Sequence, residues 1–144
     1  MNTIATIARL CLGCAAMLGS AWAADFDGSR ALICASTQVT ECDAGAACRQ
    51  VSVESIDAPQ FFRIDFKAKT IRLARALGDA RSTQIDRMET VDGKLVLQGV
   101  EDGQKEIKDG LGWSLAISQD RGGMVLTGSG DETAFVIFGA CTPL

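Results

Sequence analysis

The chain has 144 residues, 47% of them hydrophobic, a formal net charge of −4, and neither histidine nor tyrosine. The missing histidine removes Ser-His-Asp and Cys-His catalysis, histidine metal ligation and the commonest general base. A negative balance with lysines and arginines scattered singly leaves no basic stripe for nucleic acid, and the length suits one domain with one core.

Residues 1–23 read as a secretory signal peptide. Arg9 precedes an apolar run from Leu10 to Gly19, and Ala21-Trp22-Ala23 places small residues at the two positions a signal peptidase reads, so cleavage is expected after Ala23. That run is shorter than the roughly 20 residues a spanning helix needs. No later segment approaches this length without a charge, so no transmembrane segment is expected. Cys14 follows Gly13 as in a lipoprotein signal, but Cys11 stands where such a signal carries leucine. Cleavage would remove Arg9, taking the net charge from −4 to −5, and would leave residues 24–144 as a single domain, periplasmic or secreted.

Four of the six cysteines then remain: Cys34, Cys42, Cys48 and Cys141. An even number in an exported chain implies two disulfides, for which three connectivities exist. The favoured set joins Cys42 to Cys48 across a short loop and Cys34 to Cys141, tying the first strand to the last. These four form no C-x-x-C pair and no histidine is present to build a zinc site, so no metal is expected.

After a turn-rich Asp25-Phe26-Asp27-Gly28-Ser29, residues 32–42 are expected to be extended, with Thr37, Val39 and Thr40 favouring a strand. As one continuous strand this places Cys34 and Cys42 on the same face. Val51 and Val53 suggest a short strand that Pro59 ends. In residues 60–66, Phe62, Ile64 and Phe66 alternate with Phe61, Arg63 and Asp65. Residues 70–77 fit a strand fraying into a loop. Asp92-Gly93 between residues 83–91 and 94–100 is a strong hairpin signal, setting Met88 opposite Leu97 and Thr90 opposite Leu95. A polar loop follows at 101–109. Leu111, Trp113, Leu115 and Ile117 then alternate with small and polar residues, and a turn at 119–123 leads to a strand at 124–127. After a second turn at 128–131, residues 133–141 are apolar on both faces, as in a strand inside a sheet.

Eight or nine short strands joined by tight turns predict an all-β fold, an antiparallel meander closing into a small barrel of about eight strands, or a sandwich, stapled by disulfides. The segments Asp25-Phe26-Asp27-Gly28-Ser29, Leu32-Ile33-Cys34-Ala35, Phe62-Arg63-Ile64-Asp65, Leu97-Gln98-Gly99, Gly112-Trp113 and Phe138-Gly139-Ala140-Cys141-Thr142-Pro143 resemble a group of short exported Gram-negative proteins without an assigned activity. The resemblance implies a periplasmic location and a common fold, and brings no catalytic residue.

No catalytic motif stands out. Gly128-Ser129-Gly130 lacks the G-x-S-x-G spacing of a nucleophile elbow, and no glycine pattern continues into a phosphate loop or dinucleotide site, so no cofactor is expected. Asp25-Phe26-Asp27-Gly28 lacks the third carboxylate and distant glutamate of a calcium loop. Glu101, Asp102, Glu106 and Asp109 share their loop with Lys105 and Lys108. Two features point to binding instead. Phe62, Phe66, Met88, Leu97, Trp113 and Leu115 are expected to face an interior that is either filled or holds one small ligand. Phe61, Val125, Val136 and Phe138 fall on the other face, where they form a partner surface unless the amino-terminal segment with Phe26 covers them. The leading reading is a non-enzymatic binding protein with a protein or envelope partner. A lipocalin-like carrier of a small apolar ligand comes second, without the Gly-x-Trp that a lipocalin carries near its first strand. A carboxylate-dependent hydrolase comes third.

Overall fold

A computed structural model describes residues 25–74, 81–103, 106 and 109–144. The expected signal peptide at 1–23 and the end of the 70–77 segment, where fraying is expected, lie outside the described residues. Among the described residues ten strands form one antiparallel sheet curled into a half-barrel: β1 (Leu32–Asp43), β2 (Arg49–Val51), β3 (Phe61–Asp65), β4 (Thr70–Ala74), β5 (Ser82–Gln84), β6 (Arg87–Val91), β7 (Lys94–Glu101), β8 (Leu111–Ser118), β9 (Gly123–Ser129) and β10 (Thr133–Pro143). A single 3-10 turn, Glu54–Ile56, separates β2 from β3. The order across the sheet is β5-β4-β3-β1-β10-β9-β8-β7-β6, with β2 attached to β1. It is the expected meander, in which the first long strand lies beside the last. No helix among the described residues is long and apolar enough to cross a membrane.

The two ends of that path, β5 and β6, are consecutive in the chain and joined by Ile85 and Asp86 alone. Here adjacent amides point opposite ways: Ile85 N–H donates to the Lys69 carbonyl on the β4 side (2.8 Å), and Asp86 N–H to the Gln98 carbonyl on β7 (2.9 Å). Together β5 and β6 form one bent strand that bridges the two ends of the sheet path at the seam. Toward Arg81 the seam opens, and the Thr83 hydroxyl spans it by donating to the Val100 carbonyl (3.0 Å).

Local chemistry places the turns. Asp92 and Gly93 both take positive φ, 46° and 70°, as a two-residue hairpin with right-handed strand twist requires. The hairpin register is the expected one, Met88 against Leu97 and Thr90 against Leu95. The 128–131 turn begins later than its glycines suggest, because Gly128 and Ser129 stay in β9. One register expectation fails: between Ser36 and Gln38 a bulge shifts the β1–β10 pairing, and Thr37 donates its hydroxyl to the Phe138 carbonyl instead (3.1 Å). A bulge inserts one unpaired residue and reverses the alternation beyond it. Cys34 therefore sits in the core while Cys42 does not share its face. Cys34 pairs directly with Cys141 and is bonded to it, and Cys42 is bonded to Cys48.

The core runs through the lumen, from Leu32, Ile64 and Phe66 to Leu97, Trp113 and Leu115. At one end the amino-terminal segment closes it. Phe26 packs on this core with its ring over Gly122, whose φ of 69° suits glycine, and Gly28 abuts Met88, Leu95 and Phe66.

Candidate functional site

Antiparallel register stacks the inward-facing side chains in layers. Leu95, Ile117, Met124 and Gly139 form the layer nearest the closed end, and Leu97, Leu115, Leu126, Ile137 and Val39 form the next. The third layer runs Gly99, Trp113, Gly128, Phe135 and Glu41. Here size alternates strictly, and the glycines decide where the rings go. A Cβ on Gly99 would lie 2.5 Å from Trp113 Cζ2, and one on Gly128 would overlap the end of the Phe135 ring. Each ring therefore leans onto the neighbouring strand over a glycine instead of reaching across the lumen.

The space left free is a cavity of about 440 Å³, within the range of small-molecule sites. Its walls are Phe62 from β3, Ile71 and Leu73 from β4, Leu111, Trp113 and Leu115 from β8, Leu126 from β9, and Phe135 and Ile137 from β10. Trp113 is held in place from behind. Its indole N–H donates to Thr83 Oγ1 (3.2 Å), and that hydroxyl passes its own hydrogen to Val100 across the seam. Thr83 is the one buried polar residue among the described core, and both of its contacts serve the wall.

The rim is charged. Arg81 joins the 52–60 connection to the end of β7, with Nη2 2.5 Å from Asp57 and Nη1 3.3 Å from Glu101. Asp102 and Asp109 also line the mouth, and Glu41 reaches it from the third layer. Arg49 holds Glu41 at 2.6 Å and Asp43 at 2.8 Å beside the Cys42–Cys48 bond. Hydrogen bonds from Arg49 and then Thr133 keep the Asp43 carboxyl below the usual carboxylate range, and the same contact raises the Arg49 guanidinium. Asp27 and Asp65 are lowered as well, by hydrogen bonds from Ser29 and from the Ala68 amide, in turns away from this rim. Among the described residues no three His, Cys, Asp or Glu side chains stand close enough to hold a metal ion.

Of the residues expected inside, Phe62, Trp113 and Leu115 line the cavity, Leu97 lies in the layer below, and Phe66 is buried toward the closed end. Met88 corrects the expectation. It faces Leu97 in register but remains 44% exposed, because the pairs of β6 end at β7 and every residue of this strand is exposed. Phe61, Phe138 and Val125 are 50%, 41% and 36% exposed and Val136 is half-buried. Phe26 does not cover them, because it is used at the barrel end. Phe138, Val125, Ala116 and Val96 form one continuous row across four strands of the outer face.

Sequence reading overlooks Phe135, Leu126, Ile71, Leu73 and Arg81 as lining residues. For Phe135 the signal was masked, because β10 is apolar on both faces and alternation cannot tell in from out. No family model, curated protein or solved structure matches the chain.

Proposed function

We propose that this chain is an exported binding protein that holds a small, mainly apolar molecule in the lumen of its curled sheet. The observation that carries the reading is the cavity of about 440 Å³ beneath the Glu41–Arg81 rim, walled by aromatic and aliphatic side chains and closed below by packed layers and Phe26. A fold built only to be stable fills such a lumen; here glycines at positions 99 and 128 draw two rings aside. The two disulfides favour an oxidising compartment, in keeping with the signal peptide expected at residues 1–23.

The test is a melting series with neutral apolar molecules such as decanol and retinol. A true ligand at 100 times its dissociation constant contributes about 2.7 kcal/mol, so the melting temperature should rise and saturate. Leu126→Trp, directed from a half-buried wall position into the space, should abolish that rise while the chain still folds. A flat response to every member of the series, with the fold intact, would end the proposal.

A second reading rests on the outer row Phe138-Val125-Ala116-Val96, with Phe61 two strands away beyond Ala35 and Ala140. An uncovered apolar row of this kind suits a protein or envelope partner. Phe138→Ser would then abolish crosslinking to that partner without altering the lumen.

A further inference from the structure

We infer that the molecule held in the lumen is a cation: an apolar body bearing a protonated amine or a quaternary ammonium group. This rests on the lumen being a binding site and adds the sign of the ligand's charge.

Two independent features converge. The first is the wall. Trp113, Phe135 and Phe62 present three aromatic side chains to one cavity, and aromatic rings attract cations through the negative potential of their faces, most strongly where water is excluded. Aromatic cages for quaternary ammonium groups use the same residue types. The second is the balance of charge at the mouth. Glu41 lies on the inward face of β1, register-paired with Phe135, and its side chain is only 19% exposed. Its Oε2 accepts from Arg49, which does not line the cavity, and a carboxylate has capacity for further donors.

An anionic head would meet the opposite situation. Arg81 is the one cation lining the cavity among the described residues, and its two terminal nitrogens are engaged by Asp57 and Glu101. A fatty acid would have to draw Arg81 from both while its own carboxylate stood near Glu41, Asp102 and Asp109. Counting Lys105 and Lys108 at full charge does not reverse the sign, because the 101–109 segment holds four carboxylates against those two lysines. The mouth is therefore selective by repulsion of anions as well as attraction of cations.

The experiment compares four ten-carbon probes on the full chain at pH 7 by titration calorimetry below their micelle concentrations: decyltrimethylammonium, decylammonium, decanol and decanoate. Both cations should bind at least about ten-fold more tightly than decanol, the size of one screened charge contact near a protein surface, with decanoate weakest. Raising the salt to about 0.5 M should shrink the preference, since exposed charges are screened at that strength. Glu41→Gln should weaken decyltrimethylammonium about ten-fold and leave decanol unchanged; Asp102→Asn, on the exposed rim, should act in the same direction and tests the charge even if Glu41→Gln fails to fold. Equal affinity for all four probes, or tighter decanoate, would overturn the cation assignment while leaving the lumen a binding site. No binding by any probe would overturn both.

Discussion

Gly99 offers a sharp test of how the lumen is kept open, because Gly112, on the neighbouring strand, serves as its control. Neither has the positive φ that would strain a side chain. At Gly112 an added Cβ meets nothing within 4 Å, so Gly112→Ala should be neutral or stabilise by about 0.5–1 kcal/mol through the entropy glycine loses on folding. At Gly99 the same methyl would overlap the Gln84 carbonyl and lie 2.5 and 2.8 Å from Trp113 Cζ2 and Cε2. Neither neighbour is a flexible tip: one is backbone, the other a buried indole held to Thr83. Overpacking of this kind costs about 1–3 kcal/mol. The two substitutions, identical in chemistry, should thus differ by about 1–4 kcal/mol in urea unfolding. In a Trp113→Phe background the smaller ring relieves part of the overlap, and the penalty at Gly99 should shrink, a non-additivity that only direct contact produces. The displaced indole can move only into the cavity, so ligand affinity should fall as well. If Gly99→Ala and Gly112→Ala unfold within about 0.5 kcal/mol of each other, the account of rings laid over glycines is wrong.

The remaining predictions concern the staples, acid and the outer face. Replacing Cys34 and Cys141 by alanine opens a loop with a sequence separation of 107, worth about 4.8 kcal/mol in the chain-entropy model, against about 2.2 for Cys42 and Cys48; equilibrium unfolding of the two double variants should rank them so. Asp43 is depressed in the folded state, so its contribution is present above the ordinary carboxylate pKa and lost as pH falls through the folded value. Asp43→Asn should lower the melting temperature at pH 7, where that contribution is fully present, and flatten the acid limb, so that variant and parent converge as pH falls below the ordinary carboxylate pKa. Trp113→Ala should cost about 3–5 kcal/mol, and native fluorescence from Trp113, isolated in a Trp22→Phe background, should be blue-shifted; a solvent-like spectrum would place the indole outside. Phe61→Ser and Phe138→Ser should change stability by no more than about 0.5 kcal/mol, as exposed positions do, and unfolding of either would show that something covers that face.

The strands were legible wherever one face meets the core and the other water. Phe62 and Ile64, or Trp113, Leu115 and Ile117, alternate cleanly, and Asp92-Gly93 sets a register in which every pair falls as expected. The meeting of the first long strand with the last was legible too, through the cysteines. What stayed hidden has physical causes. The Ser36–Gln38 bulge is invisible in a polar stretch with no face to violate, so the side of Cys42 was misjudged. Met88 shares a face with Leu97 but lies on a strand that no second strand covers. The cavity depends on where two rings lean, and a glycine records the lean only once its cross-strand partner is known. Arg81 entered no local pattern, since its partners come from 24 and 20 residues away.

The pairing of β1 with β10 sets how the chain can reach this shape. Apart from it, each strand pairs with others close along the chain, through hairpins or the short β2 excursion, so those contacts form at little loop-closure entropy. Only β1 and β10 must meet across nearly the whole domain, and topologies with few such contacts fold faster than those with many. Folding speed should then hinge on this one encounter. Linking Leu144, whose amide already donates to the Ala31 carbonyl at 2.9 Å, to Asp25 and opening the chain between β5 and β6, the two ends of the sheet path, would make the pairing local and the sheet nearly all nearest-neighbour. The same barrel would then be reached by a route without its slowest step.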